Sequence, residues 1–519
     1  MNIPFLLEKA VRLYSQKEAI VSEGKRFTYR EFSERVFRLA HVFESMGITR
    51  GDRIAIVHHN SHEFLETYFA AAHIGAILNP LNARLSPNEL AFILKDSGAP
   101  ILVASRRFTS SVDQLKDFDV KIKRVLWSGK GDHSDTFISD DYEGTIKTQS
   151  SAPPSVGEID ENHVAHLYYT SGTTGKPKGV ILSHKNVCTH ALATIAELRL
   201  NDSDTWIHVA PLFHLADAWA TFAITWVGAR HIIVPDFEPL MVLEAMQNEK
   251  VTITNMIPTM LNMLVNTPGV DSYDFSNLRA IMSGGAPIAP DLVKNIMDTF
   301  KCDYIQTYGM TETCPYLTLS ILKENLTRLP PKDQFIYKAK TGRPMIGVSL
   351  KVIRNDGQEV HHNDREVGEI VVKGDIVTRG YWNRPDETAA AIKDGWLYTG
   401  DLAVVDSEGY VNIVDRKKDM IVTGGENVYS TEVENVLYSH PDILEAAVIG
   451  VPDTKWGEVI KAIVVLKGGR DASDKEIIAF CKDRIAHYKA PKSVDFLAQL
   501  PKTGSGKIYK KGLKERYIN

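Results

Sequence analysis

Between Tyr169 and Val180 the chain reads YTSGTTGKPKGV. Glycines at 172, 175 and 179 leave the backbone free to wrap closely around an anion. The hydroxyls of Thr170, Ser171, Thr173 and Thr174 add donors, and Lys176 and Lys178 add charge. Residues of these types at this density suit a polyphosphate. The spacing is not that of a Walker loop, which needs GxxxxGK followed by Ser or Thr. The VILS that follows reads as a strand, with a helix starting only at Ser183. A flap laid over a polyphosphate is therefore predicted, not a cradle at a helix start. A bare Gly/Ser/Thr stretch is more often a surface linker, but the ordered Lys-Pro-Lys-Gly ending argues against that here.

The elements that must position such a loop are legible nearby. Short β-branched runs (RIAIVHH at 53–59, ILVAS at 101–105, KRVLWS at 123–128, HIIVP at 231–235, VTITNM at 251–256) alternate with helical patterns such as 63–75 and 289–300. This alternation predicts an α/β architecture with largely parallel sheets. From about 341 the texture changes to short strands with tight turns, and a final α/β unit follows. The chain has 519 residues, 44% hydrophobic and 24% charged, which predicts roughly three to four folding units. A net charge of −5 with dispersed Lys and Arg speaks against nucleic-acid binding. Four scattered cysteines (188, 302, 314 and 481) form neither a disulfide framework nor a CxxC site, which fits a reducing cytoplasm. The N-terminal MNIPFLLEKAVRLY mixes charges into its apolar run and predicts an amphipathic helix, not a secretory signal. The most apolar region, near 207–235, carries His214, Asp217 and Arg230 and is too polar to span a bilayer.

YYTSGTTGKPKGV resembles the signature of the adenylate-forming superfamily, which includes acyl-CoA synthetases, peptide-synthetase adenylation domains and beetle luciferases. PLFH (211–214), SGGAP (283–287), YGMTE (308–312), YTGD (398–401), DRKKDMIVTGGENV (415–428) and PKTGSGK (501–507) follow in the order the family shows, across essentially the whole chain. The resemblance implies two α/β sheet subdomains plus a small β-barrel-like subdomain in a large N-terminal domain, residues 1–416. A mobile C-terminal α+β domain, residues 417–519, would hinge near Lys418.

The same resemblance assigns roles. ATP or AMP would be held by Thr170, Ser171, Gly172, Thr173, Thr174 and Lys178 of the loop. Gly284, Gly285, Ala286, Pro287, Thr307, Tyr308, Gly309, Met310 and Thr311 would hold the adenine and α-phosphate side. Asp401, Ile413 and Arg416 would lie at the ribose, although an Asp in such a turn is ordinarily a cap and a lone Arg ordinarily a surface ion pair. Attack of a carboxylate on the α-phosphorus develops charge on several oxygens, which calls for Mg²⁺, cations and aimed donors. Glu312 would supply a hard oxygen for Mg²⁺, with Thr170 as a second ligand candidate. Lys507, between glycines near the C-terminus, would orient the acid in the adenylation pose. In the thioester pose Gly424, Gly425 and Glu426 would line the coenzyme A tunnel, where a side chain would obstruct passage. His214 would gate acyl pocket and thiol tunnel; a hydrogen-bonded core histidine is the alternative.

The implied reaction joins a carboxylic acid to coenzyme A at the expense of ATP, with AMP and pyrophosphate released. Given pyrophosphate it could run backward to make ATP, and the sequence leaves the direction open. A carrier-protein ligase and a non-catalytic ATP-binding protein are the alternatives. GGENV resembles fatty-acid and aryl-acid ligases more than amino-acid activators, whose pocket Asp has Asp217 as its nearest counterpart here. Ala218, Trp219, Phe222, Cys314, Pro315 and Tyr316 are the acyl-pocket candidates. Bulky Trp219 and Tyr316 would favour a medium-chain, branched or cyclic acid. A monomer or homodimer is expected, without nucleic acid or a transmembrane segment.

Overall fold

The computed structural model describes residues 1–132, 136–155, 157–171, 176–286, 288–502 and 508–518. The alternating pattern of the first two thirds folds into two large sheets. One has seven strands, in the order Ile138–Asp141, Arg124–Ser128, Ile101–Ser105, Arg53–Val57, Ile77–Leu81, Val164–Ser171 and Pro177–Ser183. Its pairs are parallel until the last two strands, which form an antiparallel hairpin around the glycine-rich loop. The helix after that hairpin begins at His184 because Ser183 and Asn186 form a reciprocal capping box.

The second sheet has nine strands, with Asp303–Gly309, Ala280–Gly284, Ile253–Met256, Thr205–His208, Arg230–Ile233 and Glu18–Ser22 running parallel in its middle. Fully buried strands of this kind need apolar side chains on both faces, which is why these segments read as short continuous hydrophobic runs. The helices His62–His73 and Leu215–Val227 lie in a shared core with residues of both sheets, including Phe69, Phe222, Ile54 and Trp206. The predicted N-terminal amphipathic helix is Ile3–Tyr14, capped by Asn2, with Leu6, Leu7 and Ala10 buried.

The change of texture near 341 marks a five-stranded antiparallel sheet containing Ser349–Ile353, Gly368–Lys373, Trp396–Val405 and Val411–Arg416. Among the described residues its strand pairing does not close into a ring. A fourth sheet follows, mainly antiparallel, centred on Ile443–Asp453 and Gly457–Leu466. It is backed by the helices Ser430–Tyr438 and Asp474–Lys482 through Val433, Leu437, Ile477 and Cys481. Sheets with parallel strands thus belong to the large N-terminal part, and the antiparallel sheet with two helices to the C-terminal part. Among the described residues no helix is long and apolar enough to cross a membrane.

Candidate functional site

The parallel strands Ala280–Gly284 and Asp303–Gly309 end side by side, with Gly284 in register with Thr307. The Thr307 hydroxyl donates to the Ser283 carbonyl (3.0 Å), and Gln306 Nε2 donates to the Ala286 carbonyl (2.9 Å). A Cβ on Gly284 would overlap the Thr307 side chain, so the close approach of the two strand ends demands glycine. Carboxyl ends of parallel strands are where α/β sheets take ligands.

Tyr308 reaches from this strand end to the third sheet. Its hydroxyl donates to Asp401 Oδ2 (2.7 Å), and Arg416 Nε lies 3.2 Å from Asp401 Oδ1. Asp401 and Arg416 are register partners on neighbouring antiparallel strands, so the pairing itself sets their geometry. Burial, followed by the adjacent carboxylate, pushes the Tyr308 phenol well above its ordinary value and keeps it a donor. Ile413 and Met310 pack into the same partly buried group as Tyr308.

The chain then turns sharply. A Cβ on Gly309 would collide with the Pro315 carbonyl, to which Met310 N (3.0 Å) and the Thr313 hydroxyl (2.6 Å) donate. The turn Thr311–Thr313 presents Glu312, whose side chain is almost fully enclosed. Its Oε1 accepts from the Tyr381 hydroxyl (2.9 Å), and its backbone carbonyl accepts from Thr378 N (2.7 Å). Burial raises the Glu312 carboxyl above the usual range, opposed by the Tyr381 bond and by the charges of Arg416 and Lys178.

Tyr381 escaped the sequence reading. It lies in the segment 378–382, which runs against the second strand of the loop hairpin: Ile181 N donates to the Gly380 carbonyl (3.1 Å) and Trp382 N to the Gly179 carbonyl (2.7 Å). Lys178 Nζ stands 5.1 Å over the Tyr381 ring and pairs with Glu387, a second residue the sequence did not single out. Across the hairpin Lys178 is the register partner of Thr170. Arg384 and Tyr169 both bond Asp96, at 2.6 and 2.7 Å, which ties the segment to the first sheet. The TRGYW run, with its glycine and paired aromatics between two polar stretches, was the available signal. Lys178, Thr170, Glu312, Tyr308, Asp401 and Arg416 are therefore joined by one chain of contacts. Gly172, Thr173, Thr174, Pro287, Lys507 and the side chain of Ser171 lie outside the described residues.

Ala218, Trp219, Phe222, Cys314 and Tyr316 are buried in one hydrophobic cluster, and Pro315 is buried between the last two. Trp219 Nε1 donates to the Tyr316 hydroxyl (2.8 Å), which in turn donates to the Ala216 carbonyl (3.0 Å). His190 backs this pair, accepting from Tyr316 N at Nε2 (3.2 Å). His214 is half-buried and caps the helix Leu215–Val227, its Nδ1 accepting from Ala216 N (3.0 Å). Asp217 is not available to bind an amine, because both of its oxygens accept bonds from within the core.

Lys418 lies in the turn that joins the third and fourth sheets, between Val411–Arg416 and Ile421–Thr423. Gly424 and Gly425 make the next turn, with φ of +60° and +86°. That turn and Glu426 are exposed, with the Trp456 ring laid against Gly424.

Comparison with known proteins agrees with this geometry. The AMP-binding enzyme family model matches residues 7–382, and the model of the AMP-binding enzyme C-terminal domain matches residues 432–507. A feruloyl-CoA synthase of Amycolatopsis is 37% identical over 510 residues, covering 98% of both chains. A long-chain-fatty-acid–CoA ligase of Mycobacterium tuberculosis is 33% identical, covering 99% of this chain and 98% of its own. The o-succinylbenzoate CoA synthetase of Bacillus subtilis, solved with its acyl-adenylate intermediate, superposes with a TM-score of 0.84 at 30% identity, covering 98% of this chain and 97% of that one.

Proposed function

The chain belongs to the AMP-binding enzyme family, and from that premise we propose how its residues carry out acid activation. It is an AMP-forming acyl-CoA synthetase: a carboxylate oxygen bonds to the α-phosphorus of ATP as pyrophosphate leaves. The sulfur of coenzyme A then bonds to the acyl carbon as AMP departs. The observation that carries the assignment of roles is the continuous set Lys178–Tyr381–Glu312 beside Tyr308–Asp401–Arg416. One end presents a cation at a glycine-rich loop, the other a carboxylate and guanidinium suited to ribose hydroxyls.

In this reading Thr170, Lys178 and the loop hold the β- and γ-phosphates, while Thr311 donates to the α-phosphate. Gly284, Gly285 and Ala286 form the bed of the adenine beside Tyr308. Glu312 fits a hard divalent cation: it offers only oxygen, it is buried, and burial leaves it short of compensating charge. Glu312, with the Thr170 hydroxyl, would hold Mg²⁺, which when bound supplies charge neutralisation at the phosphate oxygens. Lys507 would approach the carboxylate and α-phosphate from a C-terminal domain, residues 417–519, that turns about Lys418. Gly424, Gly425 and Glu426 would come in for thioester formation, with His214 between acyl pocket and thiol.

The acid is of modest length, medium-chain, branched or cyclic. The support is the Trp219–Tyr316 pair, two bulky side chains bonded to one another and to Ala216, which limits depth. Because Asp217 is committed within the core, amino acids are disfavoured. The test is pyrophosphate release over a panel (acetate, hexanoate, decanoate, palmitate, benzoate, cyclohexanecarboxylate, several amino acids), with and without coenzyme A. Turnover that depends on coenzyme A and peaks among hexanoate, decanoate and the ring acids is expected. Turnover confined to palmitate or amino acids would overturn the reading.

A further inference from the structure

Beneath the acyl-pocket candidates lies a hydrogen-bonded chain of side chains with no use in the chemistry described so far. Asp217 is 0% exposed, as are Trp206, His208, Thr225 and His231. Asp217 Oδ1 accepts from Trp206 Nε1 (2.9 Å), and its Oδ2 lies 3.0 Å from His208 Nδ1. His208 Nε2 is 2.9 Å from His231 Nδ1, and His231 Nε2 is 3.0 Å from the Thr225 hydroxyl. Burial holds His231 well below its ordinary value. With both imidazoles neutral, one proton order satisfies every atom. Thr225 donates to His231, His231 Nδ1–H donates to His208, and His208 Nδ1–H donates to Asp217.

Enclosing a carboxylate and two imidazoles is a costly way to fill a core, since well-packed apolar residues of similar volume are often at least as stabilising. What the chain supplies is position. It spans two neighbouring strands, Thr205–His208 and Arg230–Ile233, and grips the helix Leu215–Val227 at both its first and third turns. The first turn of that helix carries Ala216, whose carbonyl accepts from Trp219 Nε1 (3.2 Å), the Tyr316 hydroxyl (3.0 Å) and Asn255 Nδ2 (2.8 Å). A second link is more direct. The Trp206 indole that Asp217 holds stands edge-on to Trp219, with ring centres 5.0 Å apart and planes at 78°. An edge-to-face pair of this kind constrains orientation as well as burying area.

We propose that Asp217, through Trp206 and His208, is a positioning residue for acid selection. It keeps Trp219 against Tyr316 and so fixes the depth of the acyl pocket. This rests on the reading of Trp219 and Tyr316 as the end wall of that pocket. Releasing the brace lets Trp219 tilt, the pocket deepens, and longer acids gain relative to short ring acids.

The experiment compares Asp217→Asn and Trp219→Ala with the parent enzyme, measuring kcat/KM for decanoate and for benzoate in the coenzyme A-dependent reaction. Asp217→Asn preserves shape but turns one acceptor into a donor facing an N–H group. The decanoate-to-benzoate ratio is expected to rise by about tenfold, the discrimination carried by a methylene of pocket depth. A residue that only stabilises the fold would lower the active fraction and leave this ratio unchanged. If Trp219→Ala raises the ratio and Asp217→Asn does not, the brace is overturned while the pocket stands. If neither moves it, the pocket reading fails and takes this inference with it. Should Asp217→Asn not fold, Trp206→Phe keeps a ring at the site and removes only the bond to Asp217. A smaller rise in the ratio is expected for it, and an unchanged ratio in folded protein overturns the proposal.

Discussion

Replacing Tyr381 with Phe removes one hydroxyl and leaves the ring on which Lys178 rests. The lost interaction is the 2.9 Å donation to Glu312 Oε1, made to a carboxylate only 7% exposed. Hydrogen bonds to charged groups contribute about 1.5–3 kcal/mol. One pKa unit corresponds to about 1.4 kcal/mol, so the Glu312 carboxyl should rise by roughly one to two units. The sign follows from the form that works. Ionised Glu312 is the form that can hold a cation, and burial has already raised its pKa. Activity is therefore present above that pKa and lost as pH falls through it. In Tyr381→Phe the acid limb of ATP–pyrophosphate exchange should move toward neutrality, and more Mg²⁺ should be needed for half-maximal rate. An acid limb that stays in place, in a variant whose melting temperature matches the parent's, would refute the argument. Either the limb would then report a different group, or the Tyr381 bond would have no bearing on Glu312.

Glu387→Gln removes the carboxylate that pairs with Lys178. Lys178 is then released to phosphate, and a several-fold lower KM for ATP is expected in pyrophosphate exchange; a raised KM would mean that Glu387 supports the loop. Gly425→Leu should spare adenylate formation and impair thioester formation from preformed acyl-adenylate. A Cβ there meets nothing within 4 Å in this structure, so the folding cost is confined to a φ of +86°, about 1–3 kcal/mol. Stability should fall on acidification. His73 is held down to about 4, and His166, His184 and His190 to about 3, all mainly by burial. Depressed histidines favour the neutral fold, so stability is full above the unfolded value near 6.5 and is lost as pH drops from there toward 4 and 3. His73 alone accounts for about 3 kcal/mol by this reckoning, and a melting temperature that does not decrease below pH 6.5 would contradict it.

What the sequence made legible was whatever a short stretch determines by itself. The loop hairpin is an example: β-branched residues on either side of a glycine-rich run make two strands. The Ser183–Asn186 capping box then starts the helix where the S-x-x-N spacing places it. Gly284 and Gly309 are local in a different sense, because the steric demand on each is met by any chain that brings two strand ends this close. Tyr381, Glu387 and Asp96 have no such signature. Each acquires its role from a partner far away in the chain, and only the sheet order brings them to the loop.

Asp217 shows the limit most clearly. In the sequence it is an acidic residue in the first turn of a helix, next to a motif histidine, and thus equally a cap, a substrate ligand or a surface charge. The structure separates these meanings because a strand eleven residues upstream delivers the Trp206 indole to one oxygen and His208 reaches the other. A carboxylate with both oxygens occupied and no solvent cannot serve an incoming amine without leaving two buried N–H groups unpaired. The same saturation that rules out one substrate class makes this residue a fixed point for its neighbours. A pocket wall built on it inherits its rigidity. For this reason acid preference is expected to respond to Asp217 although no acid need ever touch it.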